Sequence, residues 1–92
     1  DPGKPERSQP VIDRAAAAFA RWQDVIARRL TADGVAEQDA AALAMLVLAS
    51  FEGAIVVARA SRDVTPLDLV QAQLRSLISP QITPAARKRA TR

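Results

Sequence analysis

The chain has no cysteine, no histidine and no tyrosine, and its 92 residues include one tryptophan, two phenylalanines and three glycines. Without cysteine there is no disulfide framework and no thiolate metal site. Without histidine the commonest metal ligand is missing, and so is the side chain that titrates nearest neutral pH. Catalysis is left with a few carboxylates, Ser, Thr, Lys and Arg in no recognisable constellation, which argues against an enzyme and implies no cofactor. Asp33, Glu37 and Asp39 lie close together. With no histidine and no loop of alternating oxygen ligands they do not read as a metal site. The length allows one small domain, of a size that buries only roughly 60% of the surface its unfolded chain exposes.

Positive charge is in excess, at +3 with a pI near 10.6, but not where a nucleic-acid surface would need it. Between Pro10 and Ser79 seven arginines face eight carboxylates, a net charge of −1. The surplus lies on Arg87, Lys88, Arg89 and Arg92. A nonspecific nucleic-acid surface clusters its basic residues on one face, and this pattern does not. The basic tail reads as a solvated, flexible end, or as a weak and salt-dependent phosphate contact. The N-terminal DPGKPERSQP is polar and proline-rich and shows no signal peptide. It begins without Met and is expected to be an internal start.

What the chain has in quantity is apolar helix. Ala40–Arg62, AAALAMLVLASFEGAIVVARASR, is long enough for about six turns, and its polar residues are scattered around the helix. A helix that is apolar all round must be buried all round. The run breaks at Glu52 and Gly53 after about a dozen residues, short of the ~20 that a bilayer requires, which favours a soluble bundle with no membrane.

The rest is organised around that stretch. Residues 1–9, with two prolines and a glycine, read as a linker. A first helix is expected from Pro10 to Ala32, with Ile12, Ala15, Phe19, Trp22, Ile26 and Leu30 forming one stripe. Asp33-Gly34 stops it, because glycine takes the positive φ that a C-terminal cap requires. The second helix spans Ala36 to Arg62, with Glu37 and Asp39 at the positive end of its dipole. The third opens with Thr65 as N-cap, Pro66 in its first turn, Asp68 completing a capping box and Val64–Leu69 as a staple. Leu67, Val70, Leu74 and Leu77 form its stripe, Pro80 follows its end, and residues 80–92 read as a basic flexible tail. The expected fold is all-α: three antiparallel helices, with residues 10–79 as the domain.

Two single-stripe helices cannot cover a helix that is apolar on every side. Leu43, Leu46, Val47, Phe51, Ala54, Ile55 and Ala58 lie toward one half of the central helix, and Met45, Leu48, Val56 and Val57 toward the other. A bare patch of that size is what monomers avoid. Further helices, a second copy of the chain, or both must cover it.

Phe19-x-x-Trp22, then Phe51-Glu52-Gly53-Ala54-Ile55-Val56-Val57-Ala58-Arg59-Ala60, then Thr65-Pro66-Leu67-Asp68 resemble the C-terminal domain of TetR/AcrR-type transcriptional regulators, LmrA-like branch, over roughly Val11 to Ile78. The resemblance implies a bacterial, cytoplasmic repressor whose N-terminal helix-turn-helix binds operator DNA and whose C-terminal domain holds an effector pocket and the dimer interface. It implies that the last two helices pair with those of a mate as a four-helix bundle. The helix-turn-helix is absent from this sequence, so operator DNA is expected as a partner only through that missing domain.

On this reading the dimer interface draws on Phe51, Gly53, Ala54, Ile55, Ala58, Leu69, Gln73 and Leu77. A small apolar effector would meet Phe19, Trp22, Met45 and Glu52. Each has a plainer alternative. Gly53 is either tolerated in an Ala-rich helix or marks a close helix–helix approach. Glu52 pairs with Arg59 or an arginine of the first helix, or else faces the effector. Phe19, Trp22 and Met45 are core residues or pocket lining. The competing function is a small helical protein-interaction module unrelated to transcription.

Overall fold

The computed structural model describes residues 8–83. Helix α1 spans Ser8–Ala32, α2 spans Glu37–Ser61 and α3 spans Thr65–Ile78, followed by a single 3-10 turn, Ser79–Gln81. No strand occurs among the described residues, and the fold is all-α as expected. Short turns, residues 33–36 and 62–64, fold each helix back on its predecessor. Helix α2 lies in the middle of the chain and packs on both α1 and α3.

The helix ends follow local chemistry, with some departures from expectation. Helix α1 begins at Ser8, so Ser8 and Gln9 belong to the helix, and Gln9 Nε2 donates to Asp13 Oδ1 at 2.9 Å. Pro10 is accommodated in this first turn, where its missing N–H has no helical partner to lose. The expected linker over residues 1–7 and the expected tail over residues 84–92 lie outside the described residues. Gly34 takes a φ of +106°, as a stop after α1 requires. Helix α2 carries Glu37 and Asp39 in its first turn with no side-chain cap, and it ends on Arg62 in the left-handed conformation.

The start of α3 differs from the expected capping box. Thr65 is the first helical residue, and Val64 holds the cap position with no side-chain cap bond, while Asp63 one residue earlier bonds to Thr65. Asp63 Oδ1 accepts from the Thr65 N–H at 2.9 Å and from the Thr65 hydroxyl at 2.7 Å. These two bonds, the backbone one first, hold the Asp63 carboxyl below its ordinary value. Val64 and Leu69, the expected staple, are 67% and 62% exposed, so no buried contact closes across this cap. Residues 80–83, assigned to the tail by sequence, are also ordered: Pro80 and Gln81 continue α3 as a 3-10 turn, and the Thr83 N–H donates to the Asp33 carbonyl at 3.0 Å.

The interior is small. Among the described residues the buried set is Leu30, Val35, Ala40, Ala44, Ala54, Ala58 and Leu74, with no large side chain fully enclosed. Leu30, Val35, Ala40 and Ala44 form a cluster at the α1–α2 turn, joined by Ile26, Ala27, Leu43 and Ile78. The radius of gyration is 16.6 Å, against roughly 12 Å for a compact chain of about this length. Small side chains on α2 let its neighbours approach closely, but three helices side by side do not close a core.

Helix α2 runs unbroken through Glu52 and Gly53 for 25 residues. Among the described residues it is the helix long and apolar enough to cross a membrane. The length argument against lipid therefore fails, because one glycine and one carboxylate do not interrupt an otherwise strong helix.

Candidate functional site

An open apolar groove lies between α2 and α3. Leu46 and Ser50 form its α2 wall, and Leu69, Val70, Gln73, Leu74 and Leu77 form its α3 wall, around a volume of about 450 Å³. Leu46, Ser50, Gly53 and Val57 follow one another at steps of four, three and four, which keeps them on one side of α2. No charged side chain lines the groove. A second opening of about 360 Å³ lies at the α2–α3 turn, lined by Ile55, Ala58, Arg59, Arg62, Asp63, Val64 and Leu67.

The structure sorts the expected interface residues into two groups. Leu69, Gln73 and Leu77 line the α2–α3 groove and are exposed. Gly53 is exposed beside them, and a Cβ built on it would meet nothing within 4 Å. Ala54 and Ala58 instead point into the chain and are buried, while Phe51 and Ile55 are half-buried. Leu46, Ser50, Val57 and Val70 are not among the expected interface residues. The four-three-four spacing puts the three α2 residues and Gly53 on one side, but on a helix that is apolar all round spacing alone marks no side.

The expected effector residues are all on the surface. Trp22 is 60% exposed, and Phe19, Met45 and Glu52 are exposed as well. They line neither of the two openings. Among the described residues Glu52 joins no ion pair, so the bridge to Arg59 or to α1 is not formed; the ion pairs are Asp24–Arg28 at 2.6 Å and Arg29–Asp33 at 3.2 Å. Glu52 stays in water within a single chain and needs no partner there. No metal-holding cluster occurs among the described residues.

Residues 3–73 match the family described as the LmrA/YxaF-like transcriptional regulator, C-terminal domain. The chain belongs to this TetR-type family of transcriptional regulators. It is 50% identical over 82 residues to the "uncharacterized HTH-type transcriptional regulator Rv0196" of Mycobacterium tuberculosis, covering 89% of this chain and 42% of that protein. It is 34% identical over 71 residues to the corresponding regulator YxaF of Bacillus subtilis, covering 77% of this chain and 37% of that protein. The chain thus spans less than half the length of the curated relatives it matches. No solved structure matches it. The family-matched segment includes all three helices in whole or in part, so the architecture above is that of a TetR-type C-terminal domain.

Proposed function

We propose that this chain is the ligand-sensing and dimerisation region of a soluble, cytoplasmic TetR-like repressor. Its operator-binding helix-turn-helix would lie in the length that the relatives have beyond the matched region. The observation that carries the reading is the uncharged α2–α3 groove with Leu46, Leu69 and Leu77 at 43%, 62% and 45% exposure. A contiguous apolar surface of this kind marks an interaction site. Its chemistry suits the same surface of a second copy: it offers no charge to repel itself. Gln73 carries both donors and an acceptor in one amide, so it can pair with its own image across a two-fold axis. The interface on this reading comprises Leu46, Gly53 and Val57 of α2 with Leu69, Gln73 and Leu77 of α3. Ala54 and Ala58 sit behind it, with Phe51 and Ile55 at its inner margin.

Sensing falls to the other side. Phe19 and Trp22 on α1, with Met45 and Glu52 on α2, form one wall against which a small apolar effector is held once further helices of the full regulator complete the pocket. The effector acts only through a difference in its affinity for the two arrangements of the helices. The arrangement it favours changes the spacing of the paired DNA-binding heads and lowers operator affinity.

Light scattering across a dilution series tests the dimer directly. A dimer that persists to low micromolar concentration supports this reading, and a well-folded monomer at all concentrations overturns it. Trp22 is the single tryptophan of these 92 residues. In the full-length regulator, apolar ligands that release operator DNA should change a fluorescence signal that Trp22→Phe removes, whereas release with no such signal would move the pocket elsewhere.

A further inference from the structure

Helices α1 and α3 both pack on α2, and the end of α3 with the residues after it reaches the α1–α2 turn. After Ile78 the chain does not leave the bundle. Pro80 has no N–H to continue the α-helical ladder, and the backbone tightens into the 3-10 turn Ser79–Gln81, closed by the Ile82 N–H on the Ser79 carbonyl at 3.2 Å. Gln81 Nε2 donates to the Leu77 carbonyl at 3.1 Å, which holds the turn against α3. Ser79, Gln81 and Ile82 are half-buried, and Ile78 packs on the Leu30–Val35–Ala40–Ala44 cluster. The segment ends with the Thr83 N–H on the Asp33 carbonyl at 3.0 Å.

The receiving turn is shaped for this contact. Gly34 has a φ of +106°, a conformation that glycine adopts without steric cost. Independently, a Cβ at position 34 would run into Thr83 Cγ2 and stand 3.1 Å from both Thr83 Cβ and Thr83 N. Only a residue without a side chain lets Thr83 come this close. The neighbouring Asp33 is fixed by Arg29, whose Nε donates to Asp33 Oδ2 at 3.2 Å. Toward the opposite end of α1 the apolar side chains are open: Val11, Ile12, Phe19 and Trp22 are between 43% and 64% exposed.

We propose that residues 79–83 are a strap that locks the end of α3 onto the α1–α2 turn. At this end the three helices move as one body, and α1 swings away from α2 only about the locked end, with its N-terminal half as the moving part. The strap is independent of the regulator reading, because it rests on contacts within one chain.

A double-substitution cycle with Gly34→Ala and Thr83→Gly tests it, by denaturant unfolding at fixed protein concentration. Gly34→Ala alone should lower the folding equilibrium constant roughly 10- to 100-fold, through backbone strain and the clash with Thr83. In the Thr83→Gly background the side-chain clash is gone, leaving the strain and the 3.1 Å approach to the residue-83 nitrogen, so the same substitution should cost several-fold less. Equal costs in the two backgrounds, within about twofold, would show that the residues do not meet and would overturn the proposal. Should Gly34→Ala fail to fold, hydrogen exchange on the unaltered chain decides. A strap requires the Thr83 amide to be protected and to exchange with the Val35 amide in one opening event. Exchange of Thr83 at the rate of an open peptide would mean that no strap exists.

Discussion

Ala40, Ala44, Ala54 and Ala58 line one side of α2 and are at most 9% exposed, whereas Met45, Leu46, Val56 and Val57 on the remaining surface are 43–66% exposed. In a self-sufficient domain the distribution would be reversed, with the larger apolar groups inside, since each buried methylene contributes about 0.8 kcal/mol. The alanine side serves a different purpose. Small side chains let α1 and α3 approach α2 closely, at interaxial distances set by the residues at the contact. The larger residues are kept for surfaces outside the single chain. One helix thus carries an intramolecular contact built on closeness and an outward surface built on area, and substitutions on the two should fail in different ways.

The sharpest break in that contrast should come from Leu46→Asp. It places a charge in the α2–α3 groove while leaving the monomer's interior untouched. The expected loss is about 2–4 kcal/mol of association, a dissociation constant weakened by at least thirtyfold, seen by light scattering with an unchanged helical circular dichroism signal. Ala54→Leu should do the reverse. Overpacking the close side costs about 1–3 kcal/mol of folding stability, read as a lower denaturant midpoint. If Leu46→Asp unfolds the chain while Ala54→Leu only separates subunits, the two sides have been assigned the wrong way round.

Gly53→Ala sharpens the boundary between them. In one chain the added methyl meets open space, so helix propensity alone should raise monomer stability by up to about 1 kcal/mol. In the dimer the methyl opposes close approach, so the association constant should fall even as the single chain gains stability. A dimer stabilised as much as the monomer would place Gly53 outside the interface.

Asp63→Ala has the smallest expected effect, because the residue lies at the surface beyond both sides of α2. Bonds from the Thr65 amide and hydroxyl lower the Asp63 carboxyl in the folded chain. Its contribution is therefore present above the unfolded carboxylate's value and disappears as pH falls through the lower folded value. The unaltered chain should lose slightly more stability than Asp63→Ala between neutral pH and roughly pH 2, measured as melting temperature in parallel acid titrations.

The sequence was readable where a single residue has a single physical consequence. Gly34 after α1, the acidic first turn of α2 and the apolar spacing of α1 and α3 all fix local structure without reference to anything distant. The start of α3 was harder, because the cap position falls on Val64, which has no capping side chain, and the carboxylate that bonds Thr65 comes from the turn after α2. Among the described residues Glu52 lacks the ion pair that its apolar neighbours in sequence suggest, for a global reason. Its surroundings in sequence are apolar, but its side of α2 is uncovered in one chain, so there is no desolvation to compensate. The same cause blurred the interface: no periodicity argument distinguishes sides of a helix that is apolar on all of them. The strap was invisible, since it joins residues 33–34 to residue 83 through contacts that leave only a glycine and a proline as traces.

The unbroken length of α2 has a consequence for the protein's life before it acts. On the proposed dimer, a subunit without its mate would leave the outer surface of this 25-residue apolar helix open. Chaperones and proteases that recognise exposed apolar chain would act on the unpaired form and not on the assembled one, so pairing would protect each subunit by mass action. Lifetime then rises with concentration. At low expression such a regulator would be removed faster than simple dilution predicts, giving the cell a threshold level below which no stable pool accumulates.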